Sequence, residues 1–195
     1  MTRVALFGGS FNPPHCAHQL VALYVLETCD VDELWFVPTF VHPFGKELAP
    51  FEDRMAMCEI AAQALGPRVR VSRAEEQLAA QPGFVASRTL ELVEMLIANQ
   101  PNDYRLVIGG DILGETHKWY RWDDLVRLAP PIVVGRTGFA LPPGVPFLPA
   151  DGTGIVMPEI SATHARELLA AGDPRSASLL PRSILRYIAD RGLYQ

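Results

Sequence analysis

Apolar positions in this chain fall into short continuous runs separated by longer amphipathic stretches. The runs predict strands near residues 3–7, 33–37, 68–72, 104–108, 131–134 and 154–156. Continuous apolarity, rather than strict alternation, is expected of strands covered on both faces. Between the first five runs lie patterns of helical period over 17–28, 50–65 and 86–99, and a shorter one over 112–128. Such alternation predicts an α/β fold with a Rossmann-like, doubly wound parallel sheet. Ligands of these sheets bind beyond the carboxyl ends of the strands. The stretches to inspect are therefore 8–18, 38–46, 109–111, 135–136 and 159–166.

The 195 residues predict one domain, 1–195, with a helical part over 161–195. The stretch 138–154 is rich in proline and glycine, and too little chain follows it for a second domain. It is read as a surface excursion. Net charge is −5, which argues against a nucleic-acid or membrane surface, so any phosphate site must be built from local groups. No apolar run approaches transmembrane length, and the N-terminus enters a strand with no signal peptide. The cysteines Cys16, Cys29 and Cys58 lack metal or redox spacing and predict reduced thiols in a cytoplasmic protein.

The richest chemistry follows the first strand: Gly8-Gly9-Ser10-Phe11-Asn12-Pro13-Pro14-His15-Cys16-Ala17-His18. Glycines let backbone N–H groups approach an anion, and the next helix aims its positive end at the same point. A bare Gly-Gly turn would be only a turn. Ser10, the two prolines that set the helix entry, and two histidines on one helix face turn it into a phosphate site. It is neither a Walker A loop nor a dinucleotide fingerprint, and two histidines are too few for zinc.

Other candidates are more ambiguous. Ser161-x-Thr163-x-x-Arg166 suits both a helix cap and an anion site. Asp111 after Gly109-Gly110 could cap a helix or hold ribose hydroxyls. Trp119 and Trp122 could both be core aromatics. Lys46 fits either solvated surface or phosphate contact, and Arg136 lies at a ligand-facing strand end.

Taken in order along the chain, these segments resemble the nucleotidyltransferases of the HxGH class, and within it the bacterial nicotinate-nucleotide adenylyltransferases. The resemblance rests on the Gly8–His18 signature, Lys46, Asp53-Arg54-Met55, Ser87-Arg88-Thr89-Leu90, Ile108-Gly109-Gly110-Asp111, Lys118-Trp119-Tyr120-Arg121-Trp122, Ile160-Ser161-Ala162-Thr163-His164-Ala165-Arg166 and the terminal Gly192-Leu193-Tyr194. Ala17, Ala162 and Arg88 depart from that pattern, where the family has glycine, serine and tyrosine. Alanine is small and helix-favouring, so Ala17 is expected to be tolerated; Arg88 is expected to alter the acceptor pocket.

The resemblance implies adenylyl transfer from ATP to nicotinate mononucleotide, giving nicotinate adenine dinucleotide and pyrophosphate in NAD biosynthesis. The acceptor phosphate is already a nucleophile, so positioning and charge stabilisation suffice. It implies catalytic roles for His18, at the α-phosphate and transition state, and for His15, at the triphosphate. ATP would also meet backbone donors of Gly8, Gly9, Ser10 and Phe11, then Gly109 and Asp111 near adenosine, and Ser161, Thr163 and Arg166 near the outer phosphates. The acceptor would meet Lys46, Ser87, Thr89, Trp119 and Arg136, with Trp119 stacking on the pyridine. Trp122 is assigned to the core, and His42, His117 and His164 to surface or structural roles. Mg²⁺ would travel on the ATP phosphates with no dedicated protein ligands. The loops around 38–46 and 116–122 are expected to close over substrate, and a homodimer is the expected assembly. The alternatives are the same chemistry on nicotinamide mononucleotide or phosphopantetheine, or a non-catalytic nucleotide sensor.

Overall fold

A computed structural model describes residues 1–42, 45–136 and 156–195; the side chains of Arg136 and Val156 lie outside that description. The proposed excursion over 138–154 also lies outside it. Among the described residues six strands form one sheet: β1 (Arg3–Gly9), β2 (Glu33–Pro38), β3 (Val69–Val71), β4 (Asp103–Gly109), β5 (Pro131–Arg136) and β6 (Val156–Met157). Their order is β3-β2-β1-β4-β5-β6, and every neighbouring pair is parallel. This is the doubly wound arrangement that the alternation of runs predicts.

The continuous apolar runs now have a physical cause. Ala5, Leu34, Phe36 and Val107 feed a core shared with α1 (Cys16–Thr28), α2 (Phe51–Gln63) and α7 (Arg182–Arg191). Their neighbours Val4, Leu6, Trp35, Val37, Leu106 and Ile108 feed the opposite core, against α3 (Ala74–Ala79), α4 (Thr89–Asn99) and α5 (Trp122–Leu128). Alternate side chains point to opposite faces, so both must be apolar.

Three elements differ from the sequence reading. The helix over 112–128 is split into a 3-10 helix, Gly110–Lys118, and α5, because Arg121 takes a left-handed backbone (φ 49°) that an α-helix cannot contain. The helix expected from 86 begins at Thr89, with Arg88 extended at its N-cap. The six-residue α3 is too short for its periodicity to stand out, and only Ala74, Glu75 and Leu78 are buried along it.

Beyond β6, α6 (Ala162–Ala170), a 3-10 turn (Pro174–Ser178) and α7 pack back against the first half of the chain. Asp53 on α2 accepts hydrogen bonds from Tyr187 Oη (2.8 Å) and Arg191 Nε (3.0 Å) on α7. No helix among the described residues is long and apolar enough to cross a membrane.

Candidate active site

The strand order reverses between β1 and β4, so the loops leaving these two strands diverge and open a crevice. The loop after β1 is held from behind. Arg54, 1 % exposed, donates from Nη1 to the Ser10 carbonyl (2.9 Å) and from Nε to the Ala49 carbonyl (3.0 Å). Asn12 Oδ1 accepts from the Ala49 N–H (3.0 Å) and from Tyr194 Oη (2.8 Å). The Asn12 carbonyl accepts from Arg166 Nη1 (2.7 Å). Phe11 has a left-handed backbone (φ 45°), unusual for a bulky residue, and its ring is anchored in the core against Phe36 at 5.3 Å. Such anchoring holds the loop in one shape before any ligand arrives.

The two histidines sit where this loop becomes α1. Their rings stack at 3.7 Å between centroids. The His15 backbone N–H donates to His18 Nδ1 (3.0 Å), which places the proton of a neutral His18 on Nε2. Phe11 packs edge-on against the His18 ring, 4.9 Å between centroids. His18 is therefore fixed in ring position and tautomer. Neither α1 nor α6 has an acidic residue in its first turn, so both helix ends retain their positive character. Ser161 caps α6, its Oγ accepting from the His164 N–H (3.1 Å).

Three clefts meet at this point. One, about 320 Å³, lies between the ends of β1, β4 and β5 and the start of α6, and includes His15, His18, Gly109, Asp111 and Ser161. A Cβ on Gly109 would run into the Asp111 carboxylate, so glycine is what lets that carboxylate lie over the strand end. The second, about 430 Å³, is lined by Ser10, Phe11, both histidines, Lys46, Thr163 and Arg166. The third, about 360 Å³, lies across β1 and β4 and includes Gly8, Gly9, Ser10, Thr89 and Trp119. The first and second share the two histidines; the first and third share Phe7 and Gly109. A linear molecule could run through all three.

The structure places the remaining candidate residues as follows. Lys46 lines the cationic second cleft with Arg166. Ser87 does not line the third cleft; its hydroxyl donates to Glu75, which does. His42, given a surface or structural role by the sequence, lines that cleft too, and burial together with Lys46 and Arg54 holds its protonation down. Arg88 stacks over the Tyr120 ring (4.3 Å) and pairs with Glu91 (3.0 Å). Trp122 packs edge-on against Trp119, 5.6 Å between centroids. The side chain of Arg136 is outside the described residues. Glu75 carries no recognisable local signal, and Arg54 enters the sequence reading only as part of Asp53-Arg54-Met55, because each acts through burial beside a segment distant in sequence.

Comparison with known proteins fits this geometry. Residues 6–168 match the cytidylyltransferase-like family. A protein of Anaeromyxobacter sp. (strain K) named "probable nicotinate-nucleotide adenylyltransferase" is 49% identical over 193 residues, 98% of this chain and 96% of its own length. The chain belongs to the nicotinate-nucleotide adenylyltransferase family. A second member, the nicotinate-nucleotide adenylyltransferase of Bacillus subtilis, is 32% identical over 199 residues and the whole of both chains. The fold is also that of the Plasmodium falciparum nicotinic acid mononucleotide adenylyltransferase solved with NaAD, with a TM-score of 0.80 at 18% identity, covering 100% of this chain and 98% of that one.

Proposed function

We propose that this enzyme transfers the adenylyl group of ATP to nicotinate mononucleotide, releasing pyrophosphate and forming nicotinate adenine dinucleotide in NAD biosynthesis. The observation that carries the reading, with the family membership, is the meeting of three clefts at the stacked His15–His18 pair. In this reading adenosine occupies the cleft with Gly109 and Asp111, the outer phosphates lie beside Lys46 and Arg166, and the acceptor lies beside Thr89 and Trp119.

The reaction then needs little covalent chemistry from the protein. An acceptor phosphate oxygen attacks the α-phosphorus in line, and pyrophosphate leaves. His18 Nε2–H donates to an α-phosphate oxygen as charge builds there. The α1 end and the loop amides add fixed positive potential that needs no reorganisation. Arg166 and Lys46 hold the leaving pyrophosphate. The lining of the phosphate cleft fits phosphate oxygens rather than a bare cation, and no three His, Cys, Asp or Glu side chains converge among the described residues. We assign Mg²⁺ to the ATP phosphates, where it would neutralise part of their charge.

Three further assignments belong to this reading. Residues 1–195 act as one nucleotidyltransferase domain, supported by the reach of Tyr194 to Asn12. The enzyme works in the cytoplasm with its thiols reduced. It pairs as a homodimer, which sedimentation would check. The decisive experiment is pyrophosphate release from Mg-ATP with nicotinate mononucleotide and, separately, nicotinamide mononucleotide. Strong preference for the nicotinate form is expected; release with neither would remove the proposal.

A further inference from the structure

We propose that Glu75 is a specificity-determining residue of the acceptor cleft, supplying the negative charge that matches a positively charged ring. The proposal rests on the assigned reaction and goes one step beyond it.

Glu75 lies on α3, is 8 % exposed, and lines the same cleft as Thr89 and Trp119. Its carboxylate is held by the Ser87 hydroxyl and by the Phe40 backbone N–H. Both donors are neutral. Among the described residues no Lys or Arg lines this cleft, and no ion pair reaches Glu75. The two hydrogen bonds fix the carboxylate in place but do not balance its charge. A buried carboxylate without a cation is costly, and burial raises its pKa. A cation entering the cleft would relieve that cost.

The assigned acceptor brings one. The pyridine nitrogen of nicotinate mononucleotide is bonded to ribose and to two ring carbons, so the ring is a flat cation. Trp119 offers that cation an aromatic face, and Glu75 offers it a counter-charge. ATP has no such group, and its phosphate cleft carries the opposite lining. Glu75 thus reads the charge of the acceptor ring, separately from whatever holds the ring substituent.

Ring charge and ring substituent can be separated. The 1,4-dihydro form of nicotinate mononucleotide keeps the carboxylate and loses the ring charge. Both forms would be offered to wild type, Glu75→Gln and Glu75→Asp at pH 8, with ATP saturating. Wild type is expected to favour the charged ring by about tenfold or more in kcat/KM. Glu75→Gln should lose most of that preference through acceptor KM, with KM for ATP unchanged; Glu75→Asp, which keeps the charge, should retain it.

A pH series with the oxidised acceptor gives a second readout. The charge is present only above the raised pKa of Glu75, so wild-type acceptor KM should fall as pH rises, and Glu75→Gln should lose that dependence. The other charged and titratable groups on the neighbouring elements are His42 on the loop after β2, Arg88 at the N-cap of α4 in its pair with Glu91, and Arg73 at the N-cap of α3 in its pair with Glu76. Of these His42 is shifted down by burial while Glu75 is shifted up by burial, so the two move toward each other and His42→Asn is run in parallel. A pH limb that survives in Glu75→Gln but vanishes in His42→Asn overturns the assignment. So does an equal loss for both ring forms, which would make Glu75 only a tie for Ser87. If Glu75→Gln does not fold, wild type alone decides: no preference between the ring forms overturns the proposal. Failure of wild type to use nicotinate mononucleotide at all overturns the assigned reaction and this inference together.

Discussion

The cleft assigned to the outer phosphates and the cleft assigned to the acceptor share the end of β1 but are built from opposite materials. The phosphate cleft carries Lys46, Arg166 and two histidines, with one carboxylate, Glu47. It is backed by a loop whose carbonyls are pinned by Arg54 and Arg166. The acceptor cleft carries Glu75 and His42 as its titratable groups, with Phe7, Ile112 and Trp119 supplying apolar and aromatic surface. A polyanion and a flat ring need different hosts. The first is held by fixed dipoles and cations, the second by stacking area and a matched charge. Mutations on the two sides should therefore separate into ATP effects and acceptor effects.

The sharpest test lies where the sides meet. His18→Ala removes the fixed Nε2–H donor while α1 keeps a good helix former. Turnover should fall by about 10²–10³-fold, as for loss of one preorganised transition-state donor. The circular dichroism melt should stay close to wild type. Near-normal turnover in a folded variant would remove the assigned role of His18.

The next effect should belong to the phosphate side alone. Arg166→Met deletes a guanidinium that now satisfies the Asn12 carbonyl and contacts Thr163 Oγ1 at 3.3 Å. A charge-assisted hydrogen bond to phosphate is worth about 1.5–3 kcal/mol, or ~10–100-fold. KM for ATP should rise by that order, with acceptor KM unchanged. Arg166→Lys should recover only part, because an ammonium lacks the planar fork. A rise shared equally by both substrates would show that the two clefts are one unit.

On the acceptor side the matching change is Trp119→Ala. Loss of a stacking face costs about 1–3 kcal/mol per ring, so acceptor KM should rise about tenfold or more while ATP KM holds. Trp119→Phe should restore most of it. Trp122 packs edge-on against Trp119, so Trp122→Ala should act through the orientation of its neighbour and give a smaller shift of the same sign.

The same contrast explains which parts of the site can be read from the sequence. The phosphate side is legible because its parts are local. Glycines, a helix start and two histidines three apart lie in one run of eleven residues, and the capped turn at Ser161–Arg166 is another such run. The sheet is legible for a similar reason, since each strand declares its two buried faces by unbroken apolarity. The acceptor side is assembled from single residues of separate segments: Thr39, Glu75, Thr89, Ile112 and Trp119. Glu75 looks like any glutamate on a short helix, and nothing in the spacing of Ser87 announces that its hydroxyl bonds to that carboxylate. Arg54 looks like a helix-surface cation, yet it is fully covered beneath the phosphate loop. Burial of a charge is a tertiary property, and no spacing announces it.

The smallest predicted effect probes that hidden support. Tyr194 is separated from Asn12 by nearly the whole chain, yet its hydroxyl donates to Asn12 Oδ1. Tyr194→Phe keeps the ring and removes only the donor. Asn12 Oδ1 still accepts from the Ala49 N–H, so no buried oxygen is left without a partner. The cost should be that of one ordinary hydrogen bond, about 1 kcal/mol, which for a chain of this size lowers Tm by about 2–4 °C. What makes the variant informative is where the functional loss appears. Asn12 shapes the loop that backs the phosphate cleft, so ATP KM should rise a few-fold and acceptor KM should not move. A melt shifted by that amount with both KM values unchanged would make Tyr194 a stabilising contact only. A shift in acceptor KM would mean that the loop after β1, which borders both clefts, transmits its shape to each.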